Sequence, residues 1–297
     1  MILTSFFEAL IKYDFILYAL IAGILVGVLA PMIGSVVVIR RLSFIADTIS
    51  HFSLAGVCLG VILSRVIIFE KIDPVVMGVI FSVIGTLLIE VVRHFYKNYK
   101  EISMPIVMSL GLALSGLLIN LSPQISLQYT TGLLYGSIYS VSLANLIIIL
   151  VVSTSIIIFA FLFYKPIITL CFDETYARIS GLKVRLLQLA ITIVLSLVIS
   201  LFLNVIGVLL ISSLMILPIA AAILIGKSFL NTVILSISFS EISVIFGFII
   251  SYHTDLSTGP IIIIINLIIY VVIIAIKTIR KRYFKKEENQ NLNQIWF

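Results

Sequence analysis

The sequence has few charged residues: only 11% of its 297 residues are Asp, Glu, Lys or Arg. Soluble globular proteins contain about 25% charged residues and about 45–50% apolar ones, whereas 62% of this chain is hydrophobic. A soluble fold of this size keeps about a quarter of its unfolded-chain surface in water, so it cannot bury so much apolar surface. The scarcity of charge excludes a soluble enzyme, a nucleic-acid-binding domain and a disordered chain. It predicts a polytopic integral membrane protein.

Cysteine, histidine and catalytic motifs are scarce as well. The chain has three histidines and two cysteines, Cys58 and Cys171. So few cysteines exclude a disulfide framework. No HExxH or GxSxG pattern is present. Gly226-Lys227-Ser228 matches only the end of a phosphate-binding P-loop, and it follows an apolar run instead of a strand. We therefore expect no enzyme active site and no cofactor in this chain itself.

Long apolar runs are abundant. A membrane-spanning helix needs about 20 apolar residues, and transmembrane strands would be shorter and alternating, so we interpret these runs as helices. Nine runs lie near 15–39, 43–66, 74–92, 104–121, 142–164, 186–204, 206–226, 229–250 and 259–277. The boundary near Asn204 and Gly207 is weakly marked, so an eight-span arrangement with one partial segment stays open. The sequence predicts one all-α transmembrane domain, residues 1–297, with eight or nine spans.

The distribution of positive charge predicts the topology. With nine spans and an external N-terminus, every Lys and Arg except Lys12, Arg65 and Lys71 falls on the cytoplasmic side. The C-terminus is then cytoplasmic, and the basic tail of about residues 277–297 is expected to bind anionic membrane lipid. The net charge of +6 therefore reflects topology and not nucleic-acid binding. The first run lacks a preceding basic segment, so we interpret it as a retained span and not as a signal peptide.

Two ionisable residues, Asp47 and His51, lie within the second span. A charged side chain at mid-bilayer costs about 2.5–3.5 kcal/mol on insertion scales, so the pair needs an explanation. Their i, i+4 spacing puts both on one helix face, and a carboxylate with an imidazole suits Zn²⁺ or Mn²⁺. Counted from Arg41, they lie in the inner half to the middle of the membrane, a depth typical of transport sites. The alternative is that they only hydrogen-bond to each other and stabilise helix packing.

Two ligands are too few for a closed structural zinc site, which takes four. This deficit suits a transport pathway, where the ion must also be released, and a homodimer would bring the pair in twice.

Glu241 lies near the middle of the eighth span, between Ser240 and Ser243. Three roles are open for it: a third metal ligand, a proton-binding site, or a neutral buried carboxyl bonded to the serine hydroxyls. We favour the neutral carboxyl. Asp255, at the outer end of the same span, is interpreted as a loop residue, with a role at a metal entrance as the alternative.

The fifth and sixth spans are joined by a segment with helix-end signals. Asp173 is a good N-cap, Glu174 suits a first turn and Gly181 suits a C-terminal exit. These signals predict a short cytoplasmic helix of about residues 173–181 that presents three apolar residues, Tyr176, Ile179 and Leu182. So short a helix is marginal alone and needs packing against membrane helices or a partner.

Four stretches resemble the permease subunit of zinc- and manganese-type ABC importers. The most specific is 40–60, with the pattern R-R-x-S-x-x-x-D-x-x-S-H-x-x-L-x-G. The others are 172–182 (D-E-x-x-A-x-x-x-G-L), 207–222 (G-V-L-L-I-S-S-L-M-I-L-P-I-A-A-A) and 251–260 (S-Y-x-x-D-L-S-T-G-P). Because they are spread from the first span to the last, the resemblance covers almost the whole chain.

The resemblance implies a multi-pass permease of the bacterial plasma membrane that works as a homodimer. Its partners would be two cytoplasmic ATPase subunits and an extracellular metal-binding lipoprotein. Asp47 and His51 match the proposed metal-contacting positions of the family. The family's coupling helix, which docks in a groove of the ATPase, matches Asp173, Glu174, Tyr176, Ala177 and Gly181.

The sequence thus predicts ATP-driven import of a divalent metal ion by alternating access. Zinc is favoured over manganese, because manganese-type members more often have Gly and Pro where this chain has Ala46 and Ala55. In one alternative, a proton-coupled secondary metal transporter, Asp47, His51 and Glu241 would form a relay. In another, an intramembrane metalloenzyme, Glu241 would be a third ligand beside His51.

Overall fold

The computed structural model of the chain describes residues 6, 8, 10–66, 73–96, 99–121, 127–136, 141–254 and 256–295, and these residues contain no strand. The helices before the middle of the chain are α1 (Asp14–Ile39), α2 (Ile45–Val66), α3 (Pro74–Phe95), a 3₁₀ turn (Lys100–Ile102), α4 (Ser103–Leu121), α5 (Leu127–Tyr135) and α6 (Leu143–Leu162). They are followed by α7 (Tyr164–Phe172), α8 (Glu174–Ile179), α9 (Val184–Ile206), α10 (Val208–Ile223), α11 (Phe229–Thr254) and α12 (Thr258–Ile295). The all-α polytopic prediction is confirmed.

Within the described residues, eight helices are long and apolar enough to cross a membrane: α1, α2, α3, α4, α6, α9, α11 and α12. The remaining predicted span, near 206–226, is α10, an apolar helix of 16 residues. At 1.5 Å per residue it is about 24 Å long, which is less than the roughly 30 Å of a hydrocarbon core. Nine apolar segments are therefore present, and the seventh is shorter than the others.

Helix α2 lies at the centre of the packing. It contacts α3 and α4 on one side and α9 and α10 on another, and 72% of its apolar window is buried, against 22% for α4, α6 and α12. The outer faces of those three helices carry exposed Leu, Ile and Val residues, as expected where a helix meets lipid. Helix α1 packs against α10 and α11, and α12 completes that group.

One end of the bundle, here called the basic end, holds the end of α1, the end of α3, the connection through α7 and α8, and the turn before α11. Arg40 and Arg93 lie close together there, and Phe229 at the start of α11 contacts the rings of Tyr164 and Phe172. The other end is called the opposite end.

Helix α10 runs from the opposite end towards the basic end, parallel to α1. Its first turn contacts the start of α12, where a Cβ added to Gly259 would lie 3.7 Å from Leu210 Cβ. Further along, Gly34 of α1 packs against the Met215 carbonyl and the Ile219 side chain. Helices α9 and α10 are separated only by Gly207, whose φ of +86° favours glycine. The weakly marked boundary near Gly207 is thus a helix break at the opposite end.

The predicted basic tail, residues 277–297, continues α12 as helix to Ile295. The ninth apolar run and the tail therefore form one continuous helix of 38 residues.

Candidate functional site

The second span presents a narrow open face at the basic end. Between residues 44 and 58, all side chains are buried except those of Phe44, Asp47 and His51. These three positions are spaced i, i+3 and i+7, so they share one face of the helix. We call them the α2 open face. It brings the predicted Asp–His pair together and leaves both side chains only half-buried.

Neighbouring side chains hold this face in place. Phe52, next to His51, is 1% exposed and fits between glycines of α3 and α4. A Cβ added to Gly85 would lie 2.7 Å from Phe52 Cγ, and one added to Gly111 would lie 2.8 Å from Phe52 Cδ2. Thr48 Oγ1 donates to the Phe44 carbonyl at 2.8 Å and to the Met104 carbonyl at 3.2 Å. The pair is thus carried on the most buried of the eight described spans.

One polar atom of the pair lacks a hydrogen-bond partner. His51 Nδ1 is buried and has no hydrogen-bond partner within the described part of the chain. Asp47 lies close enough to act electrostatically on His51. It is also in the first turn of α2, where the helix dipole stabilises a negative charge. No cluster of three or more His, Cys, Asp or Glu residues suited to a metal ion occurs among the described residues. Within the described part of one copy, the pair therefore has no third residue of these types beside it that could complete a metal site.

The position of the pair along α2 is compatible with the predicted depth, provided that the basic end is the inner one. Helix α2 begins at Ile45, so Asp47 lies about 3 Å and His51 about 9 Å along the helix from its basic end. Both are in the half of the span next to the basic end, with Asp47 nearer to that end and His51 nearer to the middle.

Glu241 does not join the pair. It lies on α11, and its Oε1 faces Gly27 of α1, where an added Cβ would collide with it. Oε1 is buried and has no hydrogen-bond partner among the described residues. The expected serine partners do not bond to it, because Ser243 Oγ donates to the Phe239 carbonyl and Ser240 Oγ has no partner. The third ligand required by an intramembrane metalloenzyme is therefore not found beside His51. Asp255 lies outside the described residues.

The segment between the fifth and sixth spans forms the predicted short helix. Helix α8 covers Glu174–Ile179, and Asp173 Oδ1 accepts from the Thr175 and Tyr176 amides at 2.8 and 2.9 Å. The helix ends before Gly181, whose φ is +83°. The N-cap and the glycine exit act as the sequence predicted.

Helix α8 is two-sided. Tyr176 and Ile179 are 61% and 79% exposed, whereas Ala177 is fully buried against the membrane helices. Leu182, which was expected to be presented with them, packs against the core instead. The free surface of α8 therefore consists of Tyr176 and Ile179, and Ala177 attaches the helix to the molecule.

A half-buried charged cluster connects α8 to the start of α2, and the sequence did not predict it. Arg93 Nη1 contacts Glu90 Oε1 at 2.9 Å. Arg40, which ends α1, interacts with both of them and with Glu174 of α8. Burial, and next the Arg93 guanidinium, lower the pKa of Arg40 from its ordinary value.

Arg41, the next residue, has a φ of +56°, which is in the left-handed region. Among the described residues, no other non-glycine residue has a positive φ. A half-buried arginine followed by one with a positive φ therefore marks the turn that leads into the Asp–His pair.

The chain matches the ABC 3 transport family over residues 12–277. It is 30% identical over 267 residues to the "Probable metal transport system membrane protein" of Treponema pallidum, which covers 90% of this chain and 97% of that protein. It is 29% identical over 273 residues to the "Probable iron transport system membrane protein" of Haemophilus influenzae, covering 92% and 97%. The "Manganese transport system membrane protein MntC" of Listeria monocytogenes is 27% identical over 265 residues, covering 89% and 91%.

The fold is similar to a chain in the structure of PsaBC from Streptococcus pneumoniae in complex with Fab. The TM-score is 0.79 at 25% sequence identity, covering 91% of this chain and 95% of that chain. Sequence and fold thus agree over the whole membrane domain.

Proposed function

The chain belongs to the ABC 3 transport family, and from this membership we propose that it is the permease subunit of an ATP-driven importer that carries zinc into the cytoplasm. The observation that carries the proposal is the α2 open face. It presents a carboxylate and an imidazole, with a buried Nδ1 that has no partner, on an otherwise buried helix. An ion in transit needs such ligands and must also be released, so a weakly closed site suits transport.

The transported ion would be held between two copies of the chain. Asp47 and His51 of one copy supply two ligands, and the same pair from a second copy would complete a four-coordinate site. Their half-buried state supports this arrangement, because ionisable side chains within a span face a protein interior or a water-filled cavity and not lipid. Phe44, at the basic-end edge of the same face, would pack across the contact between the copies.

ATP hydrolysis would be supplied by a separate cytoplasmic subunit that docks on α8. The exposed pair Tyr176 and Ile179 offers an apolar contact, and the fully buried Ala177 transmits its movement to the membrane helices. The cluster of Glu174, Arg40 and Arg93 then links α8 to the turn before α2. Docking would in this way reorient the Asp–His pair between the two sides of the membrane. An extracellular metal-binding lipoprotein would deliver the ion at the opposite end.

The proposed preference for zinc over manganese depends on two residues that are buried. Ala46 and Ala55, which favour zinc over manganese, are both fully buried, so they would act on the packing of α2 and not as ligands. Asp and His serve both metals. Competition between zinc and manganese for uptake decides this part of the proposal, and manganese uptake unaffected by excess zinc would assign the chain to manganese.

The metal pathway is tested with Asp47→Asn and His51→Gln in cells that carry the complete transport system. Each variant keeps the side-chain size but loses a good metal ligand, so we expect radioactive zinc uptake to fall about tenfold or more. Ser50→Ala is the matched control, because Ser50 is buried beside His51 and its Oγ makes no hydrogen bond. Normal uptake in both pair variants, at equal membrane levels of the protein, would overturn the assignment.

A proton-coupled secondary transporter is the second candidate, and it would use Asp47, His51 and Glu241 as a relay. The position of Glu241 against α1 argues against it. Proteoliposomes that contain only this chain decide the question: metal uptake driven by a pH gradient without any ATPase would favour the secondary transporter.

A further inference from the structure

A cavity of about 810 Å³ opens between the last turns of α3 and the first turns of α9, at the basic end. We call it the α3–α9 pocket. Its lining does not include Asp47, His51 or any residue of α8, and it shares Arg93 with the charged cluster described above. Its walls are of two kinds: a polar wall with Glu90, Arg93, His94, Arg185 and Gln188, and an apolar wall with Leu87, Val91 and Leu189.

The polar wall carries uncompensated positive charge. Glu90, its acidic residue, already bonds to Arg93 at 2.9 Å and accepts from Gln188 Nε2 at 3.5 Å. Arg93 Nε is buried without a hydrogen-bond partner, and the exposed Arg185 forms no ion pair within the described residues. The wall therefore holds two arginines against one carboxylate that is already engaged. An anion suits it, and a cationic group finds no free acidic partner.

The start of α9 adds to the positive electrostatic potential in the pocket. Arg185 is in its first turn, and Lys183, the N-cap residue, makes no side-chain capping bond. The positive end of the helix dipole is thus directed at the same pocket. A phosphate group bound there would be met by guanidinium groups, which match its geometry well.

The apolar wall is continuous with the membrane-facing side of α3. Leu87 and Val91 are 48% and 55% exposed, and they line up at helical spacing with the exposed Ile80 and Ile84. This strip leads from the middle of the span directly to the charged wall. A soluble anion would use only the charged wall, whereas an amphipathic molecule with an acyl chain uses both.

We propose that the α3–α9 pocket binds an anionic phospholipid, with its phosphodiester headgroup between Arg93 and Arg185 and an acyl chain along the Ile80–Val91 strip. Basic pockets between transmembrane helices are a recurrent site for anionic headgroups. Because Arg93 is also next to Arg40, a bound phosphate offsets the repulsion between the two arginines at the turn that leads into α2. The lipid therefore stabilises the basic end of the bundle.

The test compares the full-length chain in nanodiscs of phosphatidylcholine with and without phosphatidylglycerol, using native mass spectrometry to count retained lipid. We expect phosphatidylglycerol to be retained in preference to phosphatidylcholine. Arg185→Gln removes about 1 kcal/mol of attraction, so retention should fall about fivefold, and Arg185→Lys should recover most of it. Lys227→Gln is the matched control, because Lys227 is exposed at the same end but outside the pocket.

Four results would overturn the proposal. Equal retention of both lipids removes the charge preference, and equal loss in Arg185→Gln and Lys227→Gln shows only diffuse surface attraction. Glycerophosphoglycerol is the headgroup without acyl chains. If it displaced bound phosphatidylglycerol at the same concentration as a short-chain phosphatidylglycerol does, the pocket would be a site for a soluble anion. Cross-linking of two copies through Val91→Cys would show that a second chain covers the pocket. The melting temperature of each variant in phosphatidylcholine alone checks that it is folded.

Discussion

At the scale of single residues, glycines set how closely the helices around α2 approach each other. Gly56 packs against the Met77 carbonyl and Phe81, and Gly60 packs against Pro74 at the same contact with α3. Gly23 and Gly27 of α1 similarly lie against α11. Each pair has the GxxxG spacing, which lets two membrane helices approach closely, and these contacts are of that kind. Gly132 is different, because a Cβ added there would meet nothing within 4 Å.

Gly56→Ala is expected to destabilise the protein, since its Cβ would collide with the Met77 carbonyl and approach Phe81 Cβ to 2.6 Å. Overpacking of this kind costs about 1–3 kcal/mol. Gly116→Ala is the matched control, with open space within 4 Å and a gain of up to about 1 kcal/mol in helix propensity. Reversible unfolding in mixed micelles measures both. Equal stability of the two variants would contradict the close α2–α3 contact.

Cys171 is expected to react slowly with alkylating reagents. Burial raises the pKa of its thiol to about 11, although the nearby Arg40 opposes this shift. The thiolate is the reactive form, so at pH 8 the folded chain should react on the order of a hundredfold more slowly than the unfolded chain. The raised pKa favours the folded state below pH 9, and this contribution is lost as the pH rises towards 11.

Iodoacetamide labelling in a Cys58→Ala background, followed against pH, isolates Cys171. A labelling rate that levels off near pH 9 in the folded protein would contradict the raised pKa.

At the scale of elements, α8 and α10 are both too short to be stable alone, and different contacts hold them. Helix α8 has six residues and depends on its Asp173 cap and on the buried Ala177. Helix α10 has 16 residues and is enclosed by α1, α11 and α12, which compensates for its shortness in the membrane. Helix α8 is thus less enclosed by neighbouring helices than α10.

Asp173→Ala should loosen α8 by about 1 kcal/mol, because two backbone amides lose their acceptor. We expect the variant to insert normally in the membrane but to lose most of its metal-stimulated ATPase activity in the assembled complex. Asp173→Asn keeps a capping oxygen and serves as the control. Full activity of Asp173→Ala would mean that the cap is not needed for coupling.

At the scale of the whole molecule, basic residues are concentrated at one end of the bundle. Arg40, Arg93, Arg178, Arg185 and Lys227 lie at the basic end. The helices alternate in direction, and α10 also runs from the opposite end to the basic end. With nine crossings, the start of α1 and the end of α12 lie at opposite ends of the bundle.

The basic end is expected to face the cytoplasm. Single cysteines at Lys227→Cys and Leu256→Cys, in a background without Cys58 and Cys171, test this orientation. Both positions are exposed, at the basic and the opposite end respectively. A membrane-impermeant maleimide applied to intact cells should label only the cysteine at position 256. Labelling at position 227 instead would reverse the topology.

Much of the fold could be predicted because the bilayer imposes simple rules on a sequence. Apolar length predicted the spans to within a few residues, and the helix-end residues Asp173 and Gly181 predicted α8. The i, i+4 spacing of Asp47 and His51 predicted a shared face. Each of these signals is local in the chain, so it can be recognised without knowing which helices become neighbours.

The sequence by itself therefore determined the class of protein, its helices and the Asp–His pair. Only the tertiary structure decided that the pair lies on an open face, that Glu241 turns to α1, and that Arg40 meets Arg93 and Glu174. It also decided that Arg93 and Arg185, which are distant in the chain, line one pocket. The physical reason is that helix packing depends on long-range contacts between apolar faces. Because nearly every face of these helices is apolar, hydrophobicity alone does not specify which face meets which neighbour.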